Sequence, residues 1–380
     1  RTKEAGEWLK ARGLTAYEYS FGRGVNIGAT SAEEIGVAMS ACGVEISSHA
    51  PYYTNFANPD DEMIQKSFGY IRRTIEAERA FGGKRSVFHP ASCGKMDRAE
   101  AVALAKRNIA ALMEHLSDIS YDYILCPETM GKLNQIGTVE EVVDFCTLDP
   151  HLYPCFDFGH INSYTRGGIK GYDDYKRIID YTADKLGDEK TRNMHVHFSK
   201  IMYGAKGELK HLTFADDVYG PGFEGLAKLI GEYGLTPFLI CESDGTQAED
   251  AVAMLAMLRS CSVSVYGGHM TEELKEKYDA LLITSDSNRF YQTGMHSSFG
   301  CVVLFVKDGK KYFFTDFRYG IAARQKAKGC EVVIVTSDDL WSKVSDVLSS
   351  RDARVVGFED RMMSVAAHKA LKKELKSFEL

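Results

Sequence analysis

The 380-residue sequence predicts an α/β protein: a parallel (β/α)8 barrel lacking its first strand, then a smaller α/β domain with a mixed sheet. Three observations predict it. Short apolar runs alternate with longer amphipathic stretches over residues 1 to 259. Histidines and carboxylates fall, one after another, at the ends of those runs. The alternation then gives way to a different pattern, containing a hairpin, from Met270 onward. Strands that alternate with helices imply parallel βαβ units.

The strand-like runs, in order, are Thr15–Tyr19, Val44–His49, Arg85–His89, Tyr123–Glu128, Tyr153–Asp157, Met194–Phe198 and Pro237–Glu242. Between them, Met63–Phe81, Arg98–Leu116 and Val139–Cys146 carry apolar residues at i, i+3 and i+4, the spacing of a helix with one buried face. Seven runs are one short of a closed barrel. The chain opens at Arg1-Thr2-Lys3 inside a helix-like segment without an initiator Met, so N-terminal sequence carrying the remaining strand is expected to be missing. A helix over Ala248–Arg259 is expected to close the first domain, with 260–269 as linker. The second domain, 270–380, reads as a helix (Glu272–Tyr278), a strand (Ala280–Thr284) and a hairpin pairing Cys301–Val306 with Tyr312–Thr315 across Lys307–Lys310. Asp308-Gly309 at the hairpin tip is a strong turn signal. Helices over Tyr319–Lys328, Asp339–Leu348 and Met363–Leu375 then alternate with strands over Glu331–Val335 and Val355–Glu359.

Hydrophobic residues make up 44% and charged residues 26%, enough for a sizeable globular core. No run approaches the ~18 apolar residues that span a bilayer, and no signal-peptide pattern is present, so no membrane partner is expected. The nine cysteines are scattered without CxxC pairs, and Cys126, Cys155 and Cys241 lie inside apolar runs. Reduced, buried thiols favour a cytoplasmic protein over a disulfide scaffold. The net charge of -7 argues against a broad electrostatic grip on nucleic acid, although bound cations would reverse the local field in a carboxylate-lined site.

The strand ends carry the chemistry. His49, His89, Glu128, Asp157, His197 and Glu242 fall at or near the ends of six successive runs, and in a parallel barrel those ends converge on one rim. His160 follows in the loop after Asp157, and Glu208 and His211 in the loop after Phe198. A single histidine of this kind is more often an ordinary polar residue, and a single glutamate could cap the next helix. Six in succession, with buried carboxylates that would be costly if unpaired, instead point to divalent metals. Mixed imidazole and carboxylate ligation suits Zn²⁺, with Mn²⁺ an alternative. The candidate ligands outnumber what one tetrahedral ion uses, so two to three ions are expected. Clustered metals activate water and stabilise the leaving oxygen in phosphodiester hydrolysis.

In Ser48–Asn55, Phe88–Ser92, Cys126–Thr129, Phe156–His160, His197–Lys200 and Cys241–Ser243 the sequence resembles the endonuclease IV family (AP endonuclease family 2, with a xylose isomerase-like TIM barrel), over residues 1–257. The resemblance implies a zinc-dependent endonuclease that hydrolyses the phosphodiester 5′ to abasic sites in DNA, its partner in base excision repair. His49, His89 and Glu128 would hold one zinc; Glu128, Asp157, His197 and Glu242 a second; His160 and His211 a third, with one carboxylate. The family places an Asp two residues before that last His, where this chain has Leu209; the adjacent Glu208 would substitute. Glu128 would be the catalytic residue, bridging two ions and positioning the attacking hydroxide. Tyr52 would insert into DNA, with Arg23 in the companion role; the alternative is a surface turn with Tyr52 packed on the rim. His195 reads as a core residue, and Lys200 and Lys210 as phosphate contacts or solvated side chains.

Leu281–Gly294 and Phe314–Tyr319 resemble the N-terminal domain of the creatinase and Xaa-Pro aminopeptidase family, whose metal ligands lie in a further domain. That implies a non-catalytic unit, in which Asp316 and Arg318 structure a turn, and a homodimer surface on this domain. Two other readings stay open for the barrel: a sugar isomerase or epimerase of the same superfamily, and a metal-binding barrel without turnover.

Overall fold

The computed structural model describes residues 2–263, 277–295, 297–327, 329–359 and 371–379. The chain forms two compact units, Arg1–Cys261 and Ser262–Leu380.

The first unit runs α1 (Thr2–Lys10), β1 (Ala16–Ser20), α2 (Ala29–Ala41), β2 (Glu45–His49), α3 (Asp61–Ala80), β3 (Arg85–Phe88), β4 (Ala91–Ser92), α4 (Arg98–His115), β5 (Ile124–Pro127), β6 (Gln135–Ile136) and α5 (Val139–Cys146). It continues with β7 (Cys155–Asp157), α6 (Phe158–Tyr164), α7 (Tyr172–Arg192), β8 (His195–Phe198), β9 (Lys200–Gly204), β10 (Gly207–Leu212), α8 (Glu224–Tyr233), β11 (Phe238–Cys241) and α9 (Gln247–Val263). Strands β1-β2-β3-β5 form one parallel sheet and β7-β8-β11 another. Parallel bridges Leu125↔Leu152 and Glu128↔Cys155 join them, giving a TIM-barrel-like ring of seven strands. The ring is not closed: among the described residues no ladder pairs β1 with β11.

Local sequence explains the helices. Asp60 caps α3 by accepting from the Glu62 N–H, and Asp97 caps α4 by accepting from the Ala99 N–H. Thr138 and Glu141 form a reciprocal capping box on α5. Ile64, Phe68, Ile71 and Ile75 of α3 and Ala101, Ala105, Ile109 and Leu112 of α4 lie on single faces and are buried in one core with Phe88 and Phe156 from the strands. Each such Ile or Phe contributes on the order of 1.5–3 kcal/mol of burial. Inside the ring, Val87, Cys126 and Cys155 pack together, each two residues before His89, Glu128 and Asp157. Two-residue alternation thus stacks a small apolar layer below the polar rim.

The second unit contains β12 (Ala280–Ile283), α10 (Asp286–Thr293), β13 (Cys301–Phe305), β14 (Lys311–Thr315), α11 (Phe317–Lys326), β15 (Cys330–Ile334), α12 (Leu340–Ser350) and β16 (Val356–Phe358). Its sheet, β15-β14-β13-β12-β16, is mixed: β12-β13-β14 are antiparallel, with β15 and β16 parallel at the edges. Gly309 at the hairpin tip has φ 70°. Asp316 accepts from the Arg318 N–H and guanidinium and caps α11, a structural role.

Several expectations need correction. The closing helix of the barrel extends to Val263, so 260–263 are helical rather than linker; 264–269 lie outside the described residues. The helix expected over Glu272–Tyr278 also falls mostly outside them, as does 363–370 of the last helix. The segment after β12, to which the sequence pattern assigned no element, forms α10. The segment after β8, read as a loop, is the antiparallel hairpin β9–β10. No helix among the described residues is long and apolar enough to cross a membrane.

A candidate metal centre at the barrel rim

The strand ends are fixed by backbone bonds that extend the ladders. The Glu128 N–H donates to Phe88 O and the Glu242 N–H to Phe198 O, both at 3.0 Å. At the centre sits Glu128, with 1% of its side chain exposed. Its Oε2 lies 3.1 Å from His49 Nε2 and 3.2 Å from His89 Nε2. Its Oε1 lies 3.2 Å from His197 Nδ1 and 3.3 Å from His160 Nδ1. One carboxylate therefore faces imidazoles from three strand ends and from the helix that follows β7. Glu242 Oε1 approaches His197 Nδ1 at 3.4 Å, and Asp157 Oδ2 lies 3.2 Å from His160 Nδ1.

The structure brings all nine predicted ligands together in three groups: His49, His89 and Glu128; Glu128, Asp157, His197 and Glu242; His160, Glu208 and His211. Exposure rises outward, from Asp157 and His197 at 0% to His89 at 20%, His211 at 25% and Glu242 at 27%, so the cluster opens to solvent on one side.

Neighbouring carbonyls set the ring orientations. His49 Nδ1–H donates to Ala50 O at 2.7 Å, which turns Nε2 toward Glu128. His160 Nδ1–H donates to Thr129 O at 3.0 Å, which leaves Nε2 facing Glu208 at 3.5 Å. Because that Nδ1 proton is already committed, Asp157 Oδ2, fully buried, has no hydrogen-bond partner among the described residues. An anionic oxygen aimed into a cluster of imidazoles, without a donor, is what a divalent cation would satisfy. The residues present fit such ions.

Electrostatics agree. Burial alone would raise the Glu128 carboxyl, but His197 and the neighbouring imidazoles outweigh it and hold the group well below its ordinary value. Burial pushes Asp157 up to about 6. Burial disfavours charge on His160 as well, yet Asp157, Glu128 and Glu208 raise it to about 10. Burial lowers His89 despite the pull of Glu128.

His160 lies in the first turn of α6 rather than in a loop, with Asp157 as the cap that accepts its backbone N–H at 2.7 Å. In the third group, strand alternation would put Glu208 and His211, three residues apart, on opposite faces. A β-bulge between Glu208 and Lys210 corrects the phase. Leu209 is pushed outward, 63% exposed, and Glu208 turns to the same side as His211. Gly131 leaves room for this group: a Cβ there would lie 2.9 Å from both Glu208 Cβ and His160 Cδ2.

Tyr52 is 53% exposed and lies over the first group, its ring 5.3 Å from that of His49 and 5.5 Å from that of His89. Arg23 is exposed in the loop after β1. The Tyr52 N–H donates to Gly22 O, so the two loops are tied on the same rim. Lys200 is engaged by the carbonyls of Phe214 and Asp216, and Lys210 pairs with Asp244 at 3.2 Å.

Sequence reading missed Glu18. It lies mid-strand in β1, with its side chain 7% exposed, and its Oε1 is 2.9 Å from His197 Nε2. The available signal was positional: a glutamate in the middle of a strand covered on both faces must find partners.

Residues 7–261 match the family model described as the xylose isomerase-like TIM barrel, and residues 271–380 that of the creatinase/prolidase N-terminal domain. An uncharacterized protein of Methanocaldococcus jannaschii is 30% identical over 239 residues, 62% of this chain and 84% of that protein. A probable endonuclease 4 of Acholeplasma laidlawii is 28% identical over 209 residues, 52% of this chain and 67% of that protein. A crystal structure of D-psicose 3-epimerase superposes with a TM-score of 0.51 at 14% identity, over 69% of this chain and 94% of that one, and shows the shared fold. The chain belongs to the xylose isomerase-like TIM barrel family, and a creatinase/prolidase N-terminal domain follows the barrel.

Proposed function

We propose that the barrel is a metal-dependent phosphodiesterase that incises DNA 5′ to abasic sites, with Zn²⁺ as the resident ion in two or three sites. One observation carries this reading: the buried Glu128 carboxylate is shared between two histidine pairs, with a third histidine–carboxylate group beside it. When bound, such ions lower the pKa of water and neutralise charge on a phosphoryl group. His49, His89 and Glu128 would hold the first, Glu128, Asp157, His197 and Glu242 the second, and His160, Glu208 and His211 the third. Glu128, kept ionised by its imidazole neighbours, orients the attacking water. Tyr52, exposed above the first group, would exchange its hydroxyl contact with Ser20, at 3.0 Å, for stacking in the gap left by a missing base, and Arg23 would meet the backbone beside it. A probable endonuclease 4 among the relatives supports a DNA substrate.

A second reading, epimerisation of a ketose, has one observation in its favour. The group Glu128, Asp157, His197 and Glu242 is carboxylate-rich and could serve a single ion. His49, His89, His160 and His211 then have no role, which is why the first reading is preferred. The deciding experiment incubates the full chain with a duplex carrying one tetrahydrofuran abasic analogue, with and without chelator, alongside a ketose epimerisation assay. Chelator-sensitive incision is expected. Absence of incision by protein loaded with two or three zinc ions refutes the proposal.

A further inference from the structure

Below the rim, the ring interior holds a second polar group, Glu18, Ser47 and His195, that meets the three metal sets at His197. Glu18 projects inward from β1 and is paired in register with Ser47 of β2. The Ser47 hydroxyl donates to Glu18 Oε2 at 2.8 Å. From the far side of the open seam, His195 and His197 of β8 present their Nε2 atoms to the two carboxylate oxygens, at 3.2 Å to Oε2 and 2.9 Å to Oε1. Both rings are fully buried. Both approaches are within donor–acceptor distance, though neither N–H points along the line of a hydrogen bond. The opposite nitrogen of His197, Nδ1, faces Glu128 and Glu242.

A neutral imidazole carries one proton, and only the bare nitrogen can ligate an ion. A carboxylate 2.9 Å from Nε2 favours the proton on that nitrogen by its charge, and so leaves the Nδ1 lone pair for the rim. We propose that Glu18 is a positioning residue for His197: it selects the ligating tautomer and thereby sets the affinity of the ion held by Glu128, Asp157, His197 and Glu242. His195 and the Ser47 hydroxyl hold the carboxylate in place. The inference rests on the metal reading of the rim given above.

The test measures ion binding rather than turnover. Zn²⁺ affinity is read by chelator competition, and Co²⁺ is used as a spectroscopic probe, in the full chain and in Glu18→Gln and Glu18→Ala. Removing such an outer carboxylate typically costs 10–100-fold in metal affinity. One ion should weaken by that factor in both variants, with a change in the Co²⁺ d–d bands, while the His49–His89 ion binds as in the parent. Melting of the metal-free proteins separates this from a general loss of stability, and the glutamine variant, of the same size, carries the test should the alanine variant not fold. Unchanged affinity and Co²⁺ spectrum in a folded variant overturn the inference while leaving the metal reading intact. A parent protein that binds no ion overturns the metal reading itself. A thiolate-to-Co²⁺ charge-transfer band abolished by Cys155→Ser would place the ion directly among Cys155, His195 and His197, which are also close to one another, and would overturn the positioning role.

Discussion

Replacing Glu128 by Gln keeps the shape of the side chain and removes its charge. The parent carboxylate lies 3.1–3.3 Å from imidazole nitrogens of His49, His89, His160 and His197, with 1% exposure, so solvent cannot compensate the loss. Breaking a buried pair from one side costs about 3–5 kcal/mol. At ~1.4 kcal/mol per factor of ten, that is on the order of 10²- to 4 × 10³-fold in affinity for the ions that share the carboxylate. Incision should fall at least as far, because the same group orients the attacking water; losses of about 10²–10³ are usual when one preorganised group is removed. The assay is single-turnover incision of an abasic duplex at saturating enzyme, paired with elemental analysis of the same preparation. A Glu128→Gln protein that keeps the parent's zinc content and incises within about three-fold of the parent would refute the bridging role, since among the described residues Glu128 is the carboxylate that faces both histidine pairs.

Further outcomes follow from the geometry. Gly131→Ala places a methyl 2.9 Å from Glu208 Cβ and His160 Cδ2, so it should displace the third ion alone; elemental analysis would show one ion fewer per chain, and an unchanged count would contradict the assignment. Tyr52→Ala should leave metal content intact and slow incision by roughly ten-fold, from loss of a stacking contact worth about 1–3 kcal/mol, as measured by KM and kcat on the abasic duplex. Metal affinity should fall with falling pH. In the metal-free protein His160 titrates at about 10 and so carries an extra proton throughout the neutral range, while Asp157, at about 6, gains one only below that pH. Each proton must leave for the atom to ligate, so the log of affinity should change by at least about one unit per pH unit above pH 6 and more steeply below it. Competition titrations between pH 5.5 and 8, as a rough span, check this, and a flat profile would be incompatible with ligation by His160.

Much of the rim was legible because parallel strands convert sequence order into spatial order. His49, His89, Glu128, Asp157, His197 and Glu242 each lie at or next to the end of an apolar run, and seven such runs leave little freedom in where those ends meet. Three features escaped for distinct reasons. Glu18 sits between Tyr17 and Tyr19 and resembles an exposed position of an alternating strand, yet a barrel strand is covered on both sides. His160 was read as part of a loop because α6, at seven residues, is too short for periodicity to register. The hairpin β9–β10 was hidden by its own irregularity, since Gly207-Glu-Leu-Lys-His-Leu212 does not alternate cleanly in hydrophobicity.

That irregularity has a consequence for how this site tolerates change. Leu209 behaves as an inserted residue that the hairpin has swallowed: it takes no partner across the ladder and its side chain is surplus to the fold. Excising it would leave Glu-Lys-His in an unbroken strand, with acid and imidazole two positions apart and already on one side. Length changes of one residue at this spot should therefore be silent for the third group, whereas replacing Glu208 or His211 should not. Position-by-position alignment would score the displaced acid as a lost ligand; three-dimensional superposition would keep it.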